Sequence, residues 1–435
     1  MNNIVAIIGR PNVGKSTLFN RLTKSRKAIV DSFSGVTRDR HYGYSDWNGI
    51  NFTLIDTGGY LSDSKNIFDI EIKKQVIIAI NESDAIIFLV DVETGPTNLD
   101  IDVAQLLQKT NKPVFLTVNK VDNSIRVKES LEFYNLGLGD YFSISSINGS
   151  GTGELLDSLV SSFKMNNEEQ ELDIPKIAIV GKPNVGKSSF VNALLNENKN
   201  IVTDISGTTR DTIDTIYNKY GKKIILIDTA GLRKKSKVFD NLEFYSVMRT
   251  IRAIERSDIC LIIIDAINGF KSQDLNIFKL AKKNNKGVIV LVNKWDIVKN
   301  KNDQAIENYK SSIYDKTAPY VDFKIIFISS LNKQRIYNAI DETQKIYHKL
   351  SKKIPTSELN DFLLKKIEST PPPSYKGKRV KIKYITKLPT KATSFAFFCN
   401  LPQYIKEGYK RYLENQIRKK YDFTGIPINI YIRKK

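Results

Sequence analysis

Short apolar, β-branched runs alternate along this chain with stretches of helical period. In the first 165 residues the runs are 4–8, 51–55, 85–90, 114–118 and 141–144, each of strand length. A polar Asn48-Gly49 pair between 42–47 and 51–55 predicts a hairpin. Helical period falls around 68–81, 98–109 and 126–133. The alternation returns with runs at 177–180, 224–227, 259–264, 288–292 and 324–328. Such alternation predicts an α/β fold: doubly wound, mostly parallel sheets with helices on both faces and ligands at the carboxyl ends of the strands. After residue 350 the pattern changes. Residues 357–367 and 407–421 read as helices, with Tyr409, Leu413 and Ile417 on one stripe of the second. Residues 379–385, 394–399 and 427–432 read as strands, and Thr370-Pro371-Pro372-Pro373 breaks the first helix. The result is a small α+β unit of order α-β-β-α-β.

The two alternating blocks carry the same motifs. Gly9-Arg10-Pro11-Asn12-Val13-Gly14-Lys15-Ser16-Thr17 and Gly181-Lys182-Pro183-Asn184-Val185-Gly186-Lys187-Ser188-Ser189 both contain G-x-x-x-x-G-K-S between a strand and a helix, 172 residues apart. This is the phosphate-binding P-loop. Backbone N–H groups and the helix N-terminus converge on phosphate, Lys15 or Lys187 reaches the β- and γ-phosphates, and Ser16 or Ser188 ligates Mg²⁺. Thr37 and Thr209, each in an S-G-x-T-R-D stretch, are candidates to order over the γ-phosphate and Mg²⁺. Asp56-Thr57-Gly58-Gly59 returns as Asp228-Thr229-Ala230-Gly231, placing an acid near Mg²⁺ and a glycine N–H near the γ-phosphate. Asn119-Lys120-Val121-Asp122 returns as Asn293-Lys294-Trp295-Asp296. A carboxylate there pairs with guanine N1–H and its 2-amino group, which adenine lacks, so GTP is the expected nucleotide. Lys15, Thr37 and Gly59, with Lys187, Thr209 and Gly231, are the candidate catalytic groups. Many small GTPases place a water-orienting Gln after D-x-x-G; Tyr60 and Leu232 stand there. Asn12 and Asn184 share one P-loop slot, and a carbonyl there could hold K⁺ against the phosphates, so K⁺ joins Mg²⁺ as an expected cofactor. The alternative is that these asparagines only shape the loop.

Charge separates the parts. The chain of 435 residues carries +20. Residues 1–165 balance at −2, 166–173 at −4, 174–350 at +12 and 351–435 at +14. The basic back half points to a polyanion. In 379–384 bases alternate with apolar residues, which in a strand separates a basic from an apolar face. Lys376, Lys378, Lys410, Arg411 and the Arg433-Lys434-Lys435 end add to it, as does the basic segment 233–237. The glycines after 350, at 377, 408 and 425, leave no G-x-x-G clamp for RNA. Cys260 and Cys399 read as packed thiols of a reducing compartment, His41 and His348 have no evident chemical partner, and the apolar runs are too short for a membrane span.

Together these motifs resemble the Der (EngA) family of bacterial GTPases with two tandem G domains. Ser145-Ser146 and Ser329-Ser330 stand where that family has Ser-Ala near the base, and Lys410–Asn415 and Thr424-Gly425-Ile426-Pro427 resemble its last domain. The resemblance implies two P-loop GTPase domains, 1–165 and 174–350, joined by an acidic linker, 166–173, and followed by a KH-like RNA-binding domain, 351–435. It also implies a cytoplasmic GTP hydrolase in ribosome biogenesis that binds the large (50S) subunit and its rRNA, with neither membrane nor DNA as partner. Two other readings stay open: a nucleotide-gated RNA scaffold with negligible turnover, and a GTPase acting on tRNA or translation factors.

Overall fold

The structure is a computed structural model, and it describes residues 3–23, 42–56, 76–163 (apart from 78 and 82), 174–195, 214–229 (apart from 220), 243–299, 301–374, 377–390 and 392–434. The chain divides into two compact units: Met1–Glu171 with Ser236–Arg252, and Leu172–Lys235 with Ala253–Lys435.

The first unit holds β1 (Asn3–Ile8), α1 (Lys15–Thr23), β2 (Tyr42–Trp47), β3 (Ile50–Asp56), β4 (Ala85–Asp91), α2 (Asn98–Gln108), β5 (Val114–Asn119), α3 (Ser124–Glu129), β6 (Tyr141–Ser143) and α4 (Thr152–Ser161). Its sheet order is β2-β3-β1-β4-β5-β6, parallel except for the β2–β3 hairpin. The unbroken apolar runs follow from burial of both faces. Val5, Ile7, Ile87 and Leu89 enter one core with α1 and α4; Ala6, Ile8, Phe88 and Val90 enter the other with α2. Two predicted helices differ. Of 68–81, the described residues 76–77 and 79–81 are helical. The helix placed at 126–133 starts at Ser124, capped by Asn123, and passes into a 3₁₀ stretch over Ser130–Leu136.

The second copy has β7 (Lys176–Val180), α5 (Lys187–Leu195), β8 (Thr215–Lys219), β9 (Lys222–Ile227), α6 (Glu243–Arg256), β10 (Ile259–Asp265), α7 (Ser272–Lys283), β11 (Gly287–Asn293), α8 (Asp303–Thr317), β12 (Lys324–Phe327) and α9 (Ile336–Ser351). Its order, β8-β9-β7-β10-β11-β12, repeats the first strand for strand. Then come α10 (Thr356–Ser369), β13 (Ile382–Lys387), β14 (Ser394–Cys399), α11 (Glu407–Lys420) and β15 (Asn429–Lys434), the α-β-β-α-β order read from the sequence. β13 runs antiparallel to β14, and β14 parallel to β15. The strand read over 379–385 enters the ladder only at Ile382, and the last strand lies two residues later than 427–432.

Within the second unit one hydrophobic core runs without a break from β7, β10 and β11 through α9 into Leu359, Phe395, Phe397 and Leu413 of the C-terminal sheet and helices. The loop before β15 closes this junction. Val288 N–H donates to Gly425 O (2.7 Å), and Gly425 N–H donates to Asp322 O (2.8 Å). Arg418 completes it by pairing with Asp322 (2.6 Å) and Glu414 (2.9 Å) beneath the ring of Tyr320. Cys260 and Cys399 are both free and buried, and burial pushes the Cys260 thiol up to about 11.

Gly425 sits at φ +83°, where a Cβ would lie 2.6 Å from Ile346 Cδ1. Gly377 has a similar φ of +74° with nothing near. Gly425→Ala therefore combines the left-handed backbone cost, about 1–2 kcal/mol, with an overlap in the core. Gly377→Ala carries the backbone cost alone. Chemical denaturation followed in the second unit should show the larger loss for Gly425→Ala, and equal losses would contradict the packing described.

Candidate functional site: paired phosphate and base loops

In each copy the P-loop leaves the end of a buried central strand and enters a helix. Its first glycine passes directly over the neighbouring strand: a Cβ on Gly9 would lie 2.2 Å from Leu89 O, and one on Gly181 2.3 Å from Ile263 O. Gly14 and Gly186, both at φ +98°, lie against the side-chain amides of Asn119 and Asn293, which would meet a Cβ at 2.3 and 2.2 Å. Those amides tie the loops together. Asn119 donates to Val13 O (2.7 Å) and accepts from Ser146 N–H (2.9 Å). Asn293 does the same with Val185 O (2.8 Å) and Ser330 N–H (2.9 Å). The phosphate loop and both base loops thus form one hydrogen-bonded cradle, twice over. Ser145, Ser146, Ser329 and Ser330 are buried there, and the hydroxyls of Ser146 and Ser330 find no partner among the described residues.

Lys15 folds back to donate to Gly9 O and Arg10 O, both at 2.7 Å, and Lys187 donates to Gly181 O (2.7 Å) and Lys182 O (2.6 Å). Burial depresses both ammonium groups to about 8; at Lys15, Asp56 opposes the shift and Arg10 adds to it. Ser16 Oγ donates to the buried Asp56 carboxylate at 2.7 Å, bringing together two hard oxygen ligands of the kind Mg²⁺ takes. In the second copy Asp228 has left the strand for φ +56°, and its N–H donates to Asp214 (3.0 Å). Asn12 and Asn184 are exposed at φ +64° and +62°, a backbone region Asn tolerates better than most residues. Pro11, Pro183, Thr17, Ser188 and Ser189 lie in the same turns and helix starts, and Thr229 is buried beside Asp228. Thr37, Thr57, Gly58, Gly59, Thr209, Ala230 and Gly231 lie outside the described residues, as do Tyr60, Leu232, His41, Lys376, Lys435, the linker 166–173 and the segment 233–237.

Two pairs of acids escaped the sequence reading. Lys120 and Lys294 both adopt left-handed φ, +67° and +63°, and each is held by the acid that ends the neighbouring strand, β4 or β10: Asp91 at 2.6 Å and Asp265 at 2.8 Å. The second P-loop residue is held in the same way, Arg10 by buried Asp100 (3.1 Å) and Lys182 by buried Asp274 (2.7 Å). Both acids also accept from the backbone at the start of α2 or α7. All four recur at a spacing of 174, the spacing of N-K-x-D, and that register was the available signal. The surroundings of Asp122 and Asp296, the last residues of the two Asn-Lys-x-Asp motifs, differ between copies. Asp122 pairs with Arg126 (3.1 Å), which Glu93 also holds (2.6 Å). At the position of Glu93 the second copy has exposed Ile267, and Asp296 makes no ion pair among the described residues.

With this geometry in place, the chain can be set beside known proteins. The family described as "50S ribosome-binding GTPase" matches residues 4–120 and 176–294, and that described as "KH-domain-like of EngA bacterial GTPase enzymes, C-terminal" matches 353–433. GTPase Der of Christiangramia forsetii is 58% identical and that of Flavobacterium psychrophilum 57%, each across 100% of both chains. The chain belongs to the Der (EngA) GTPase family. It is a GTPase, and its fold is that of tandem P-loop GTPase domains followed by a KH-like domain. No helix among the described residues is long and apolar enough to cross a membrane.

The depressed lysines make a prediction for this Der-family chain. Bound phosphate restores the full ammonium, so nucleotide binding takes up a proton wherever the free lysine has lost one. Below about pH 8 both lysines are protonated in the free protein and uptake is small; above it, uptake approaches one proton per site and affinity falls as pH rises. Calorimetry of GDP binding at pH 7 and pH 9, in buffers of different ionisation enthalpy, reads this directly. Equal uptake at both values would contradict it.

Proposed function

We propose that this GTPase acts in assembly of the large ribosomal subunit, binding its rRNA through the basic back half and using GTP to switch that binding. The observation that carries the reading is the continuous core joining the second GTPase copy to the C-terminal unit. A basic surface built into the same body as a nucleotide site is positioned to respond to it. Arg379, Lys381 and Lys383 are exposed and make no ion pair among the described residues. The family description "50S ribosome-binding GTPase" supports the choice of partner. In this reading 1–165 and 174–350 are the two GTPase domains, 166–173 the linker and 351–435 the RNA-binding domain, working in the cytoplasm. Lys15 and Lys187 hold the β- and γ-phosphates. Ser16, Asp56 and Thr37, with Ser188, Asp228 and Thr209, serve Mg²⁺. Gly59 and Gly231 meet the γ-phosphate, and Asp122 and Asp296 select guanine.

Deleting 351–435 would strip the shared core, so charge reversal is the cleaner test. Arg379→Glu, Lys381→Glu and Lys383→Glu together should abolish co-sedimentation with large subunits while both nucleotide sites keep their affinity. The parent should co-sediment more strongly with a non-hydrolysable GTP analogue than with GDP, and binding should weaken steeply with salt. Indifference to the nucleotide, or association with tRNA instead, overturns the reading. Negligible turnover with intact binding favours a scaffold.

We also infer that hydrolysis uses K⁺. Tyr60 and Leu232 cannot orient water as Gln does, and Asn12 and Asn184 recur in one slot of both P-loops. Turnover should be several-fold faster in K⁺ than in Na⁺, and Asn12→Ala with Asn184→Ala should remove the difference. If the double variant keeps K⁺ stimulation, these asparagines only shape their left-handed turns.

A further inference from the structure

We propose that the open face of the C-terminal sheet is a base-stacking platform for single-stranded RNA. This rests on the RNA-binding reading above and gives it a place. Residues paired across strands project to the same side of a sheet, so the register sorts the faces. Ile382, Ile385, Phe395, Phe397 and Cys399 are buried on the core side. The other side carries Tyr384 opposite Phe398, Thr386 opposite Ala396, Ala396 beside Tyr431, and Phe398 beside Arg433.

The β-bulge between Ile382 and Tyr384 creates this arrangement. From Arg379 to Lys383 exposed bases alternate with buried Val380 and Ile382, as the sequence suggests. The extra residue then shifts the phase. Lys383 and Tyr384 are consecutive and both exposed, and the strand adds an aromatic to a surface read from sequence as purely basic. Tyr384 is 41% and Tyr431 46% exposed, and the Tyr384 and Phe398 rings lie 5.8 Å apart. Small Ala396, between Thr386 and Tyr431, is fully buried beneath its neighbours, so the surface this face offers a base is that of the flanking tyrosine rings. The two tyrosines stand on the outer strands, two strand spacings apart across the sheet and two residues offset along it, about 12 Å between their backbones.

Charge selects the occupant. Arg379, Lys381, Lys383 and Arg433 flank the rings without an ion pair among the described residues, in a segment of net +14. Rings on a sheet among uncompensated cations fit a polyanion that exposes flat apolar faces, which single-stranded RNA does and a duplex does not. Stacking of this kind also supplies what the chain lacks by having no G-x-x-G clamp.

The test uses the full chain, a labelled twelve-nucleotide oligouridylate and a hairpin duplex, read by fluorescence anisotropy. Tyr384→Ala and Tyr431→Ala should each weaken single-strand binding by about fivefold or more. Tyr384→Phe and Tyr431→Phe should stay within about twofold, because they keep the ring. Lys383→Gln and Arg433→Gln should each lower the salt slope by about 0.7, whereas the alanine variants should leave it unchanged. GDP affinity at both sites checks folding. Photo-cross-linking of 4-thiouridine RNA to the unaltered protein should label 382–387 or 429–434, independently of any variant. Unchanged binding by the alanine variants, equal losses for Phe and Ala, or cross-links confined elsewhere would overturn the platform while leaving rRNA binding in place. Failure of the parent chain to bind either RNA would overturn both.

Discussion

Everything at the nucleotide sites hangs on one side-chain amide per copy. Asn119 and Asn293 each spend a donor on the P-loop and an acceptor on the serine loop, both inside the protein, where an unmade hydrogen bond costs about 1–3 kcal/mol. The bridge requires glycine at 14 and 186, because no Cβ fits against the amide. It also places the following lysine and aspartate: Lys120 and Lys294 turn through left-handed backbone directly after the bridge and are caught by Asp91 and Asp265. The P-loop and the Asn-Lys-x-Asp and serine loops are therefore one hydrogen-bonded construction in each copy, the kind of preorganisation that tight and selective binding needs.

The two copies share this skeleton and differ around it. In the first, Arg126 and Glu93 surround Asp122, and Arg21 reaches from α1 to the carbonyls of Ser146 (2.6 Å) and Ile147. In the second, Ala193 stands in place of Arg21. The main chain holds the serine loop in both copies, with Ser145 N–H donating to Ser150 O (3.0 Å) and Ser329 N–H to Gln334 O (3.3 Å), and Arg21 adds a side-chain tie in the first. The second copy shares its hydrophobic core with the C-terminal sheet and helices, so that module is part of the folding unit of its neighbouring GTPase. Arg418 shows how the joint is made: its guanidinium is fully engaged by Asp322, Glu414 and the carbonyls of Phe423 and Ile426, and it adds nothing to the free basic surface.

The sequence by itself determined the tandem P-loop architecture, the guanine preference and the uneven charge distribution, with its basic back half. Each is written in local terms: a period of apolar residues, a glycine spacing, an acid after Asn-Lys, a count of bases. The duplication made these signals decisive, since each motif could be checked against its copy. Only the tertiary structure decided what depends on distant partners. Asp100 and Asp274 look like ordinary helix-start acids until the fold brings Arg10 and Lys182 against them. The lysines look like ordinary cations until burial lowers their pKa. The unity of the second GTPase copy with the C-terminal module depends on contacts such as Val288 with Gly425, more than a hundred residues apart. The face of Tyr384 depends on one bulged residue in a pairing register, and alternation along a single strand cannot show a register, because a partner strand sets it.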